Sequence, residues 1–396
     1  MPTVLREQYL DFLWKVKDDT KTVKIICGVR RCGKSTVMLQ FIDRLRESGI
    51  QENNILYIDF ENPKFDHIED QKDLKQYFKE HITSGRTYVF LDEIQRVKDW
   101  EIAVNGLMSG NEADVYITGS NSKLLSSEFS TYLTGRYISI EMLPLSFKEY
   151  SEFHAEHNLN KYEMFDKYLK YGAFPGINPF ADERIIASRL DDLYYSTIYK
   201  DAVLRGQIRD VSEFENVAKF LMMNIGNPVS FNKIAESLGN TNRKTVERYI
   251  KLLEDCYIFY RADRYDLKST VLSHSPKFYS VDVGLRNSPL GYTDEDYGRL
   301  MENLVYLELI RKGDEVTVGK FGDSEIDFSV RTLKGREYYQ VTFSMKGDRV
   351  KERELRSLRL LNDNFPKTVI STDILKADFA DGIRHINIVD FLLGER

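Results

Sequence analysis

Short apolar runs alternate with amphipathic stretches through the first third of the chain, the pattern of strands and helices in a parallel sheet. Val23-Lys24-Ile25-Ile26-Cys27 predicts a strand, followed by a glycine-rich turn and a helix through Thr36–Ile42. Ile55–Phe60, Tyr88–Asp92 and Asp114–Thr118 predict three further strands, each apolar enough to lie in a covered sheet. Near Pro144 the pattern changes. From Phe147 to about Arg205 the spacing is helical, and Gly172-Ala173-Phe174-Pro175-Gly176 punctuates it into two helical pieces.

A third pattern follows. Val211–Ile225, Ser230–Leu238 and Asn242–Asp255 predict three helices, the second ended by Gly239-Asn240 and the third capped by Thr241. Tyr257–Tyr260 and Lys277–Val281 predict a β-wing, so the order is that of a winged helix-turn-helix. Beyond it come a helix over Tyr297–Arg311, strands around Val316, Ile326 and Val341, a helix over Lys351–Leu361 and a strand at Thr368–Ser371. The expected domains are residues 1–146 (α/β core), 147–208 (helical connector), 209–290 (winged helix) and 291–396 (a small α/β domain).

Composition narrows the class. At 396 residues, with 42% hydrophobic and 30% charged, the chain has the balance of a folded multidomain protein. No apolar run approaches the ~20 residues of a membrane span, and the N-terminus lacks a basic segment followed by an apolar one. Cys27, Cys32 and Cys256 are too few for a disulfide framework and are not spaced as metal ligands, so a reducing, cytoplasmic location is expected. A net charge of -6 argues against coating nucleic acid with the whole surface while leaving room for a local basic patch.

Gly28-Val29-Arg30-Arg31-Cys32-Gly33-Lys34-Ser35 satisfies every fixed position of the phosphate-binding loop Gly-x-x-x-x-Gly-Lys-Ser/Thr. Glycines allow a turn whose N–H groups converge on phosphate oxygens, and the helix start adds its positive dipole end. Gly28, Arg30, Arg31, Cys32, Gly33, Lys34, Ser35 and Thr36 are therefore the expected ATP contacts, Lys34 on the β and γ phosphates and Ser35 on Mg²⁺. A chance glycine turn is the alternative, and the strand before and helix after the loop argue against it. Tyr88-Val89-Phe90-Leu91-Asp92-Glu93 is an apolar strand ending in two acids. Asp92 is expected to hold Mg²⁺ through its water shell, and Glu93 to polarise a water against the γ-phosphate. An ordinary strand ending in solvated acids is the bland reading. Adjacent acids point instead to the additional-strand class of catalytic-glutamate NTPases, and so to hydrolysis. Ile117-Thr118-Gly119-Ser120-Asn121 ends another strand, where Ser120 or Asn121 can meet the γ-phosphate or the water, or merely form a turn. Arg136, in Leu133-Thr134-Gly135-Arg136, offers a cation to the γ-phosphate of its own or a neighbouring subunit, or is a surface charge.

These residues, with Leu143-Pro144-Leu145-Ser146-Phe147, Tyr171-Gly172-Ala173-Phe174-Pro175 and Glu325-Ile326-Asp327-Phe328, resemble prokaryotic AAA-type ATP-binding proteins of the subgroup with an uncharacterised C-terminal domain. The resemblance covers nearly the whole chain. It implies an α/β P-loop ATPase module, a winged helix and a C-terminal domain similar to restriction-endonuclease-like folds. A nuclease of that kind needs an acid on one strand and Glu-x-Lys on the next, two carboxylates for Mg²⁺ and a lysine for the water. Glu325 and Asp327 share a strand face and Glu302 lies upstream, but Gln340 and Thr342 stand where the carboxylate and lysine belong. A neutral amide is a poor ligand for a hard cation, and Lys346 is the nearest spare ammonium. The expectation is a domain that has lost metal catalysis.

For nucleic acid, Val246, Ile250 and Leu253 mark the core face of the third helix, while Arg243, Lys244, Arg248 and Lys251 present cations on the other. Glu247, Glu254 and the acidic whole favour a plain solvated face, and winged helices also dock proteins. His154 and His157 have a metal-compatible spacing but no third ligand nearby, and read as a surface pair. Cys32 is open to oxidation in principle and is assigned no separate role. The functional expectation is Mg²⁺-dependent ATP hydrolysis coupled to DNA, a protein partner or self-association, without a membrane. A slow nucleotide-controlled switch and an ATP-dependent nuclease are the alternatives.

Overall fold

The computed structural model describes residues 4–82, 85–110, 113–120, 135–204, 206–239, 241–266, 275–321, 324–374 and 381–395. One compact unit holds residues 3–142 with 255–257. Its elements are α1 (Glu7–Lys15), β1 (Val23–Cys27), α2 (Lys34–Glu47), β2 (Ile55–Asp59), α3 (Gln71–His81), β3 (Thr87–Asp92), α4 (Trp100–Met108), β4 (Ala113–Gly119) and β5 (Tyr137–Glu141). Every residue of β1, β3 and β4 is buried, as strands covered on both faces require. All five strands are parallel, in the order β2-β3-β4-β1-β5. This is an α/β P-loop NTPase fold, and β4 is the extra strand between loop-bearing β1 and acid-bearing β3.

The four predicted strands are present. β5 escapes a periodicity reading because Tyr137-Ile138-Ser139-Ile140-Glu141 is a half-covered edge with a mixed pattern. On α2, Phe41 meets Phe90 of β3 edge-on at 6.2 Å and Tyr116 of β4 at 5.2 Å between ring centres. Those contacts fasten the helix that follows the glycine loop to the sheet. At the opposite end of the strands, Lys24 and Asp114 form a fully buried ion pair at 2.5 Å.

The second unit holds residues 143–254 and 258–396. It begins with α5 (Phe147–Phe153), α6 (Lys161–Tyr171) and α7 (Glu183–Tyr195), the last continued by a π-helical stretch over Ser196–Leu204. Then come α8 (Val211–Met223), α9 (Phe231–Ser237), α10 (Arg243–Asp255), β6 (Phe259–Ala262), β7 (Arg264–Asp266), β8 (Lys277–Ser280) and α11 (Val283–Leu290). It ends with α12 (Tyr297–Arg311), β9 (Glu315–Phe321), β10 (Ser324–Thr332), β11 (Gly335–Val341), α13 (Asp348–Arg359), β12 (Lys367–Ser371), β13 (Ile383–Asn387) and α14 (Ile388–Leu393).

Helices α8 to α10 fall where the apolar spacing predicts, with one correction. Asn242, not Thr241, caps α10, its side chain accepting the N–H of Lys244 at 2.8 Å, while the Thr241 hydroxyl turns to Glu213 and Leu238. β6 and β8 pair antiparallel as the predicted hairpin does. Between them, however, β7 leaves to pair with β9 at the edge of a six-stranded sheet ordered β13-β12-β11-β10-β9-β7. Behind that sheet Ile326, Tyr338, Leu355, Leu358 and Val369 form one core with α13. No helix of the described residues is long and apolar enough to cross a membrane.

Candidate functional site

The loop after β1 is shaped by what a side chain cannot occupy. Gly28 sits at φ +143°, and a Cβ there would stand 2.2 Å from the carbonyl oxygen of Met142. Gly33 is also left-handed, at φ +104°, and directly precedes α2. Lys34 opens that helix with its side chain buried, donating to the carbonyls of Gly28 and Val29 at 3.1 Å each and lying 3.7 Å from Glu93 Oε1. The ammonium is thus held inside the loop, where phosphate oxygens would meet it. Arg6, absent from the sequence reading, is nearly buried beside the loop and donates to the Cys32 carbonyl at 3.3 Å. Nothing local in sequence signals it, because the contact spans 26 residues.

The two acids arrive from β3 and are ordered by β4. Asp92 ends β3 and is buried, which raises its carboxyl; hydrogen bonds from Thr118, Ser35 and Tyr57 offset part of that rise. Ser35 and Asp92 therefore meet, and a hydroxyl and a carboxylate are hard oxygen donors of the kind a divalent cation prefers. Tyr57 donates to Asp92 Oδ2 at 3.1 Å. Thr118 donates to Asp92 Oδ1 and accepts the backbone N–H of Glu93 at 2.9 Å. A polar residue inside fully buried β4 is the sequence signal for Thr118; nothing comparable marks Tyr57. Glu93 adopts a left-handed backbone, φ +53°, which carries its carboxylate toward Lys34, Ser120 (3.5 Å) and Gln95.

The remaining predicted contacts divide. Arg30 is drawn into an ion pair with Glu61 at 2.7 Å, shared with Arg96 at 3.1 Å. Cys32 is fully buried, which raises its thiol and removes the exposure that oxidation needs. Arg31 is exposed at φ +65°, and Thr36 is exposed in the first turn of α2. Asn121 lies outside the described residues. Arg136 directly precedes β5, at the amino ends of the parallel strands. Its carbonyl pairs with Val23 at the start of β1 and its guanidinium donates to Asn105 at 2.7 Å, which leaves it roughly 13 Å of strand from the loop.

In the second unit the predicted nuclease acids come together around a cation that was not predicted. Lys277 of β8 lies 2.7 Å from Glu325, 3.1 Å from Glu302 and 4.0 Å from Asp327. Arg264 of β7 adds a 2.6 Å contact to Glu325, and Tyr279 donates to Glu302 at 2.7 Å. Burial raises Glu325, but Lys277 and Arg264 outweigh it and hold the carboxyl below its usual range. Asp327 is pushed up to about 8 by burial and by Glu302. Gln340 bridges to Glu354 at 3.3 Å and faces the backbone N–H of Asp327 at 3.4 Å. Thr342 is tied by its backbone to Ile370, and Lys346 is exposed. No group of three or more metal-binding side chains exists among the described residues.

On α10, Arg243, Lys244, Arg248 and Lys251 are exposed and Val246, Ile250 and Leu253 buried, as the spacing predicts. Arg243 is paired with Glu247 at 2.8 Å, and Arg248 donates to the Gly206 carbonyl at 2.9 Å. The expected surface pair of histidines is half wrong: His154 is buried, which pushes its ring down to about 4, while His157 stacks on Phe180 at 3.5 Å.

Comparison with known proteins agrees with the first unit and adds relatives for the whole chain. Residues 20–151 match the model of an AAA domain, and residues 162–296 that of a domain of unknown function, DUF8612. An uncharacterized protein of Haemophilus influenzae is 36% identical over 401 aligned residues, covering 98% of each chain. The uncharacterized protein MJ1544 of Methanocaldococcus jannaschii is 31% identical over 85% of this chain and 77% of its own. Among solved structures, the Aeropyrum pernix ORC1 protein in complex with DNA aligns over 72% of this chain and 92% of its own at 12% identity and a TM-score of 0.30, too distant to carry an argument.

Proposed function

The chain belongs to the family of the Haemophilus influenzae protein and carries an AAA domain, and from that premise we propose that it is a Mg²⁺-dependent ATPase. One observation carries the reading: Lys34, Ser35, Asp92 and Glu93, distant in sequence, meet at the carboxyl ends of β1 and β3. Lys34 would take the charge of the β and γ phosphates, and Ser35 with Asp92 would hold Mg²⁺, which neutralises the charge that develops on the transferred group. Glu93 would accept a proton from the attacking water. Turnover of wild type against Glu93→Gln and Lys34→Ala tests this. Loss of hydrolysis with ATP still bound by Glu93→Gln supports it; equal, near-zero rates would favour the nucleotide-controlled switch.

Engagement of DNA is the proposed output, through α8 to α10 and the β6–β8 hairpin acting as a winged helix. Support comes from the four exposed cations of α10, tempered by Glu247. Replacing Lys244, Arg248 and Lys251 with alanine should weaken binding and flatten its salt dependence; unchanged binding would favour a protein partner or self-association. The domain after residue 291 would be a nuclease-like fold without catalysis, because Lys277 occupies the place of a metal between Glu302, Glu325 and Asp327. Plasmid left intact with Mg²⁺ or Mn²⁺ is the expected result. Arg136 would act only across a subunit interface. The three buried cysteine thiols suit the reducing cytoplasm.

A further inference from the structure

Helix α13 covers the sheet of the second unit with one face and carries its charge on the other. Leu355 and Leu358 are buried in the core beneath it, with Glu354 and Ser357 beside them. Arg349, Arg353 and Arg356 follow one another at i, i+4 and i+7, so they form a single line along the side opposite that core. All three are exposed. At a rise of 1.5 Å per residue the line is ~10 Å long. Arg353 gives part of its guanidinium to Glu354 at 2.6 Å. The flanking acid Glu352 is taken by Arg359 at 2.9 Å. Arg349 and Arg356 make no ion pair among the described residues. From Lys346 to Arg359 six lysines and arginines stand against three acids, in a chain whose net charge is -6. The positive excess is therefore local to this helix.

We propose that this line of arginines binds the phosphate backbone of duplex nucleic acid, a second surface for the DNA engagement proposed above and resting on that choice of partner. A guanidinium presents its donors as a planar fork that matches a phosphate, and it keeps its charge at any working pH. A duplex carries a charge every ~1.7 Å along its axis, so a straight ~10 Å row of cations lies beside several phosphates at once. Helix α13 contains no aromatic or amide side chain, the groups that stack on bases or read their edges. The contact is therefore made to the backbone alone and is independent of sequence. It favours a duplex over a single strand, whose charge density is lower. A membrane surface fits less well, because Leu355 and Leu358 are committed to the core and only Leu360, past the helix end, is left outside.

The test follows the affinity of the full chain for two duplexes of unrelated sequence across a salt series, by fluorescence anisotropy. Arg349→Gln with Arg356→Gln is compared with Arg349→Lys with Arg356→Lys, since neither arginine makes an ion pair among the described residues whose loss would disturb the fold. The alanine variant of Lys244, Arg248 and Lys251 runs alongside. The glutamine pair should lower the slope of log affinity against log salt by about 2, and the affinity near ~0.1 M salt by about tenfold or more. Both duplexes should respond equally, melting should not change, and the lysine pair should keep most of the slope. An unchanged slope and affinity in the glutamine pair overturns the proposal. So does a loss confined to one duplex, a loss as large in the lysine pair, or a matching fall in melting temperature. Wild type that ignores both duplexes but binds phosphatidylserine–phosphatidylcholine vesicles through these arginines overturns it in favour of a membrane. Binding lost in the α10 variant and intact in the glutamine pair removes α13 alone; wild type that binds no duplex removes the α10 reading with it.

Discussion

Thr118 accepts the backbone N–H of Glu93 at 2.9 Å while its own hydroxyl proton points at Asp92. One side chain of β4 thereby sets both acids that end β3, the carboxylate proposed for the metal and the peptide that aims the base. Residues that orient metal-holding groups typically change affinity or activity by about 10–100-fold when removed. Thr118→Val keeps the shape and deletes the bonds, so kcat should fall within that range while melting changes little. Losing a bond that favours the ionised form also lets burial raise Asp92 further. The acid limb of the pH–rate profile should move to higher pH; a limb that stays in place would contradict this account.

Gly28→Ala should abolish ATP binding. The new Cβ would meet the Met142 carbonyl at 2.2 Å in a φ that side chains rarely adopt, so the loop or β5 must move. Retention of ATP affinity within threefold, measured by calorimetry, would show that the loop tolerates the shift.

Lys277 is the central cation of a buried acid group, and deleting one partner of such a network costs about 3–5 kcal/mol. Lys277→Met should therefore lower the stability of its unit by that order in urea denaturation. Adding Glu302→Gln and Glu325→Gln should restore much of it, since the charges left unpaired are then gone. A loss under about 1 kcal/mol for the single variant would mean that water or rearrangement reaches the acids.

Asp327 and Asp282 are both raised in the folded state above the ordinary carboxyl value of 3.8, to about 8 and about 6, chiefly by burial. Between those limits the folded chain binds protons that the unfolded chain has released, so stability falls as pH rises. The expected decline begins near pH 4, is steepest up to about 6 while both groups contribute, slackens above 6 where Asp327 alone remains protonated, and ends near 8. Asp327→Asn should stabilise the protein at pH 8.5 relative to wild type and lose that advantage by pH 5. Parallel pH profiles for the two proteins would refute the assignment.

Much of this was legible along the chain for a physical reason. A phosphate loop is eight consecutive residues between a strand and a helix, and a strand ending in two acids is equally local, so Lys34, Ser35, Asp92 and Glu93 could be named from their spacing. The helices α8 to α10 were readable because each carries its own apolar stripe. The place of Arg136 was not readable in the same way, because which end of a parallel sheet a residue occupies is decided by strand pairing, here with Val23.

The amino-acid order by itself determined the candidate nucleotide-binding residues and most of the succession of elements, since both depend on neighbours within a few residues, while edge strands such as β5 and β7 were not legible. Only the folded chain decided that β4 slips between β1 and β3 to bring Thr118 under both acids, and that Lys277 enters a cluster whose members lie 25 to 50 residues away. Those contacts follow from sheet order and burial, which make an unpaired charge costly enough to select its distant partner.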